Sequence, residues 1–160
     1  MTAEQLLGPR STAYQIGHPI FVGGGPRLRF RPDGMGVCAE LSLNAATYWP
    51  TLVFELAHET IHLLDPVQGY TNAFEEGIAT EFQLWVAPAL SGVEMPITVP
   101  AYTEAQDQVR SLGISPFEAA HQVRLRCGAL SRASANDLNV LFPSTHPSTR
   151  DKLAAICSPR

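Results

Sequence analysis

The sequence predicts an α+β fold, a small antiparallel or mixed sheet packed against helices. Three observations predict it. Short alternating runs bounded by Gly and Pro fall within the first 43 residues. From residue 51 onward, apolar residues recur at helical spacing in long segments. The chain has 160 residues, enough for one domain with its own core, so 1–160 is read as one unit.

Residues 15–22 read as a strand, ended by the turn Gly23-Gly24-Gly25-Pro26. That turn is not a phosphate loop, because no Lys-Ser or Lys-Thr helix start follows it. Residues 28–31 form a second strand candidate, Pro32-Asp33-Gly34 a turn, and 37–43 a third strand. Helices are predicted over 51–64 and 74–86, separated by the Pro- and Gly-bearing stretch 65–72. Residues 88–100, rich in Pro and Gly, read as a loop over a cleft. A third helix spans 103–112 with Thr103 as cap. A fourth opens at Ser115-Pro116-Phe117-Glu118, read as a capping box, and runs to about Cys127. Residues 133–142 read as helical or mixed, and a last helix covers 150–156 after a cap at Ser144 or Ser148.

Within the apolar run 52–64 stands His58-Glu59-Thr60-Ile61-His62, an H-E-x-x-H motif. On a helix, residues four apart face the same way, so two imidazoles can share one tetrahedral metal ion. Glu59 lies beside that face and can reach a water on the metal as a general base. The plain alternative is a buried helix that happens to carry these residues. Burying an ionised Glu and two His there is costly unless they are paired or metal-bound. A catalytic zinc site takes a third protein ligand and leaves one position for water. The acidic residues on the next helix, Glu75, Glu76 and Glu81, are the candidates; a solvated helix face is the ordinary fate of Glu.

The pair His58-Glu59-x-x-His62 and Glu76-Gly77-Ile78-Ala79 resembles the gluzincin metallopeptidases, whose third ligand is a Glu often written in a Glu-Gly-x-Ala string. The resemblance implies a zincin-like fold and Zn²⁺ held by His58, His62 and Glu76, with Glu59 as general base. Glu81 ranks second, since its spacing from His62 matches the large aminopeptidases but its neighbours do not; Glu75 ranks third. Ser144-Thr145-His146-Pro147-Ser148-Thr149-Arg150 resembles the Thr-His-Pro…Arg signature of gluzincins related to the heat-shock and prenyl-protein-processing membrane peptidases. That resemblance makes His146 a catalytic candidate that stabilises the oxyanion, and gives Arg150 the task of holding the segment or a substrate carboxylate. A looser resemblance, over 58–65 and 76–88, is to the intracellular metallopeptidases that cleave transcriptional repressors; it points to the same three ligands. In zincin-like proteins the strand before the active-site helix often offers an edge to an extended peptide. Residues 39–44 are the candidate edge, with a core strand as the alternative. Asp65 is a candidate to hydrogen-bond a ligand histidine, or simply a helix stop before Pro66. Tyr102 is a further oxyanion candidate, and His121 is read as structural.

Composition bounds the rest. Net charge is −4 with ten Arg, one Lys and no basic block, which disfavours nucleic acid as a partner. Arg27, Arg29 and Arg31 alternate, either as a small anionic docking stripe or as a solvated strand face. No window is apolar enough for a membrane span, and residues 1–10 lack the pattern of a secretory signal, so a cytoplasmic location is expected. Cys38, Cys127 and Cys157 are read as reduced thiols, with a 127–157 pair as the alternative in an oxidising compartment. The function expected is a zinc-dependent metallopeptidase acting on a peptide or protein. The alternatives are a non-catalytic zinc-binding interaction module and a metal-dependent hydrolase of a non-peptide amide.

Overall fold

A computed structural model describes residues 2–157. It is α+β. Four short strands form one sheet: β1 (Gln15–Ile16), β2 (Ile20–Val22), β3 (Arg27–Phe30) and β4 (Gly36–Ser42). β1 and β2 run parallel to β4, and β3 runs antiparallel to it, so the sheet is mixed. Val37 is registered with both Ile16 and Phe30, and Glu40 with both Ile20 and Arg27. β4 is therefore the central strand. The single strand expected over 15–22 is interrupted at Gly17-His18-Pro19. Pro19 has no N–H to give the ladder, which breaks the pairing there.

Central placement corrects the expected substrate edge at 39–44. Glu40 is paired on both sides, Ala39 to β3, and Leu41 and Ser42 to β2. The Ser42 N–H, on the side β3 does not reach, donates to Glu55 Oε2 at 2.7 Å. Every residue of β4 over 39–42 is thus paired to at least one neighbouring strand, as in a core strand. Arg27, Arg29 and Arg31 lie on an exposed strand face, the second of the two readings expected, and their charges are engaged within the chain. Arg27 and Arg29 clamp the buried Glu40 at 2.5 and 2.9 Å, and Arg31 pairs with Asp33 at 2.6 Å.

Among the described residues there are seven α-helices, one before the sheet and six after it. They are α1 (Ala3–Leu7), α2 (Trp49–His62), α3 (Ala73–Ser91), α4 (Pro100–Arg110), α5 (Pro116–Cys127), α6 (Ala135–Leu141) and α7 (Pro147–Ala154). α2 lies between the sheet and the helical body. Leu52, Leu56 and Leu63 join Val37, Ala39 and Leu41 in one apolar cluster. Ala57, Ile61 and Leu64 join Phe74, Ile78, Phe82, Val109 and Val123 in the larger one. A helix apolar on two sides must be enclosed. His58 and His62 lie on this enclosed helix.

α3 is started by Asn72, whose side chain accepts from the Glu75 N–H at 2.9 Å. It continues through Pro88 and stops at Gly92, whose φ of 72° suits the left-handed cap. The reading that ended this helix at 86 and left 88–100 as loop is corrected to a connection over 92–99. Glu94 and Met95 from that connection, with Phe54 of α2 and Leu84 and Pro88 of α3, line a cavity of about 150 Å³.

Gly77 explains how α4 reaches the site. A Cβ there would stand 2.6 Å from the Ala105 carbonyl oxygen and 2.7 Å from Val109 Cγ2. Glycine thus permits a backbone approach between α3 and α4 that alanine would obstruct. Ala105 and Val109 share a helix face with Tyr102, three and seven residues earlier, and Tyr102 is carried inward with them.

Caps account for the other boundary differences. α4 begins at Pro100, so Thr103 lies inside it and not at its cap. Ser115 occupies the N-cap of α5 but makes no side-chain cap bond, so the Ser115–Glu118 capping box is absent; Pro116 alone presets the first turn. A capping box forms instead at Ser134 and Asp137 before α6. α7 starts at Pro147, and its cap is His146 in place of Ser144 or Ser148. Among the described residues, no helix is long and apolar enough to cross a membrane. Cys38, Cys127 and Cys157 are all free thiols.

Candidate metal centre

α2 and α3 pack as antiparallel neighbours, because His58 meets residues 76 and 83 while His62, further along α2, meets residues 75 and 76. His58 Nε2 lies 3.1 Å from Glu76 Oε2, and His62 Nε2 lies 3.7 Å from Glu76 Oε1. A tetrahedral zinc with bonds of about 2.0–2.1 Å separates its ligand atoms by roughly 3.3–3.4 Å. The two observed separations bracket that value. Ligand atoms of His58, Glu59 and His62 also lie within 4.8 Å of one another.

Each of the three ligand candidates is held by its own partner. His58 Nδ1 faces Gln83 Oε1 at 3.3 Å, and His62 Nδ1 faces Glu75 Oε1 at 2.7 Å. Thr71 donates its hydroxyl to Glu76 Oε1. With Nδ1 of both rings engaged, both Nε2 atoms are left for a metal. Glu59 differs. It is 2 % exposed, and its Oε2 has no hydrogen-bond partner. A buried, unpartnered carboxyl oxygen beside two imidazoles is costly unless something else fills the place. Two imidazole nitrogens, one carboxylate and this orphaned acid fit a zinc ion and a water.

Tyr102 covers the group: its ring stacks on His58 with centroids 5.2 Å apart and planes 29° apart. His58 and His62 meet edge to face at 5.0 Å. His58, Glu59, His62 and Glu76 are all buried. Three cavities among the described residues are lined by other side chains.

Charge is unevenly shared. Burial raises the Glu59 carboxyl above its ordinary 4.5, and Glu76 adds to that, against the opposing pull of His62 and His58. Burial also opposes a charge on Glu76, but His62, with the bonds from His58 and Thr71, outweighs it and holds Glu76 at about 2. Burial would lower His62, yet Glu76 and then Glu75 outweigh it and raise the imidazole to about 10. Burial, then the Glu76 charge, raises both the Tyr102 hydroxyl and the Cys157 thiol, the latter to about 11.

These shifts set a pH dependence for the metal-free protein. The Glu76 contribution to stability is present above about 4.5 and is lost as pH falls toward 2. The His62 contribution is complete below about 6.5 and is lost as pH rises toward 10. Glu59, a raised acid, also costs stability on the alkaline side. Unfolding temperature after chelation is therefore expected to peak near pH 4.5–6.5. A His62→Gln variant should lose most of the alkaline decline; an unchanged decline would show that His62 does not carry it.

Other sequence candidates lie elsewhere. Glu81 accepts from Arg110 Nε and from its Nη2, the latter at 3.2 Å, and forms no hydrogen bond or ion pair with the histidines. Asp65 is not a histidine partner. It pairs with Arg124 at 2.7 and 3.2 Å, and the same guanidinium donates to the carbonyls of Leu7, Gly8 and Pro9. His146 is exposed, and its Nδ1 bonds within its own turn to Ser148. Arg150 holds that segment by donating to the carbonyls of Phe142, Pro143 and Thr145. Sequence reasoning did not assign Gln83 or Thr71 a place. Gln83 was detectable in one respect: it lies seven residues, two helical turns, from Glu76 and so shares its face. No protein-family model matches this sequence, and no curated protein or solved structure matches it either.

Proposed function

We propose that this chain is a zinc-dependent peptidase of gluzincin type with a zincin-like fold. The observation that carries the reading is the convergence of His58, His62 and Glu76 beside the orphaned Glu59 oxygen. His58 and His62 would hold the metal through Nε2, and Glu76 through its carboxylate. Zinc in such a place supplies Lewis acidity, polarising a carbonyl and lowering the pKa of a water toward about 7.

The chain's own residues do the rest. Glu59 takes the proton from the attacking water and passes it to the leaving amine. Burial pushes its carboxyl up, which makes it a better proton acceptor than an exposed glutamate. Gln83, Glu75 and Thr71 keep the three ligand side chains aimed. Tyr102 stacks on His58, and a peptide reaching the group must displace that ring. His146 has no part in this chemistry, because its side-chain bonds stay within its own turn.

One observation favours a second reading. The donor residues are buried, as in a zinc site that only braces two helices. The test is metal content together with hydrolysis of a peptide library and of small non-peptide amides. One equivalent of zinc with peptide cleavage supports the peptidase. Zinc with cleavage only of the small amides selects amide hydrolysis. Zinc with neither activity selects the bracing role, and no zinc overturns all three.

A further inference from the structure

Glu75 stands out as a buried carboxyl with no Lys or Arg partner among the described residues. It is 3 % exposed on a helix whose other acids have clear work. Its one ion-pair partner among the described residues is His62, at 2.7 Å. Its second oxygen has no hydrogen-bond partner. It sits in the first turn of α3, where the helix dipole favours negative charge. That environment lessens the cost of burial without explaining it. A carboxylate kept this deep, with one strong contact, is kept for that contact.

We propose that Glu75 is the positioning residue of His62, and that it contributes to metal affinity through that ring; this rests on the zinc reading above. A neutral imidazole carries one proton on one of two nitrogens. An acceptor on Nδ1–H turns the ring and leaves the Nε2 lone pair facing outward. The Glu75 oxygen meets Nδ1 at 2.7 Å, the length of a charge-assisted bond. The matching contact on His58 is a neutral amide, Gln83, at 3.3 Å. The two ligands are thus unequally supported. His62 has the strong, charged support and His58 the weak one. Glu75 also lies next to Glu76 in sequence, so one turn of α3 supplies both a ligand and the brace for the opposite ligand.

The test compares zinc dissociation constants, measured by chelator competition, in the wild type, Glu75→Leu, Glu75→Gln and Gln83→Leu. Leu fills the space without accepting a bond, and Gln keeps an acceptor oxygen at the same place. Glu75→Leu is expected to weaken zinc binding about 10–100-fold. Glu75→Gln should lose less than about tenfold, and Gln83→Leu less than Glu75→Leu, because its bond is longer and uncharged. The visible spectrum of the Co²⁺-loaded protein should shift in Glu75→Leu, as the ring turns, and return toward wild type in Glu75→Gln. A merely structural Glu75 would change the unfolding temperature of the chelated protein and leave both readouts alone. Wild-type affinity in Glu75→Leu, or equal losses in the Leu and Gln variants, overturns the role of Glu75 while the zinc site stands. Absence of zinc binding in the wild type overturns the site and this role together.

Discussion

Glu59→Gln is expected to retain its full complement of zinc, to unfold at or above the wild-type temperature, and to hydrolyse substrate about 10²–10⁴-fold more slowly. The three parts of this result come from one environment. Glu59 is almost completely buried, and one of its oxygens has no partner. Replacing that carboxyl by an amide of the same shape removes a group whose ionisation burial opposes. Removal of an unsatisfied buried charge is near neutral or stabilising. Chemistry is different, because an amide cannot accept the proton that the reaction must move. The zinc measurement matters as much as the rate. Ligand atoms of His58, Glu59 and His62 lie within 4.8 Å of one another, so Glu59 itself is close enough to compete for the metal. Loss of zinc in Glu59→Gln would make Glu59 a ligand in place of a base. Retained activity with retained zinc would rule out the general-base mechanism.

Much of this site is legible in the sequence because its spacing is local. His58 and His62 are four apart on one helix, and a periodic apolar run makes that helix easy to place. Both long helices lie where their apolar patterns put them, and only their ends moved, at caps and at Pro88. Glu76 was reached through the Glu-Gly-x-Ala string. The structure adds the physical reason for its glycine, a backbone contact with Ala105 that no Cβ would allow. What was not legible depends on contacts between distant segments. Asp65 could be given to a ligand histidine until Arg124, 59 residues later, is seen to take it. Glu75 and Gln83 gain their roles only once α2 and α3 are known to run antiparallel. The central position of β4 depends on which strands flank it, and hydrophobic alternation reports a face and not a neighbour. His146 shows the opposite limit. A His before Pro reads equally as a catalytic signature and as a helix start, and only the fold puts its nitrogen on Ser148.

The choice between Glu76 and Glu81 gives the largest expected effect on metal binding. They are five residues apart on α3, about 140° around the helix axis at 3.6 residues per turn, so they cannot both face α2. Glu76 touches both histidines, and Glu81 is turned to Arg110 on α4. Glu76→Gln keeps the shape and removes the charge. It is expected to cost more zinc affinity than the roughly 10–100-fold typical of a brace, since it removes the proposed ligand carboxylate itself. It should also destabilise the metal-free protein near pH 7, where His62 would stay charged with its principal counter-charge gone. Glu81→Gln should leave zinc affinity unchanged. Arg110 is more than half exposed, so breaking that pair is expected to cost no more than about 1 kcal/mol. The opposite pattern, with zinc lost in Glu81→Gln and kept in Glu76→Gln, would require α3 to turn by more than a third of a revolution. The Gly77 contact with α4 and the Asn72 cap could not both survive that rotation, so the two variants test the packing of α3 as well as the identity of the ligand.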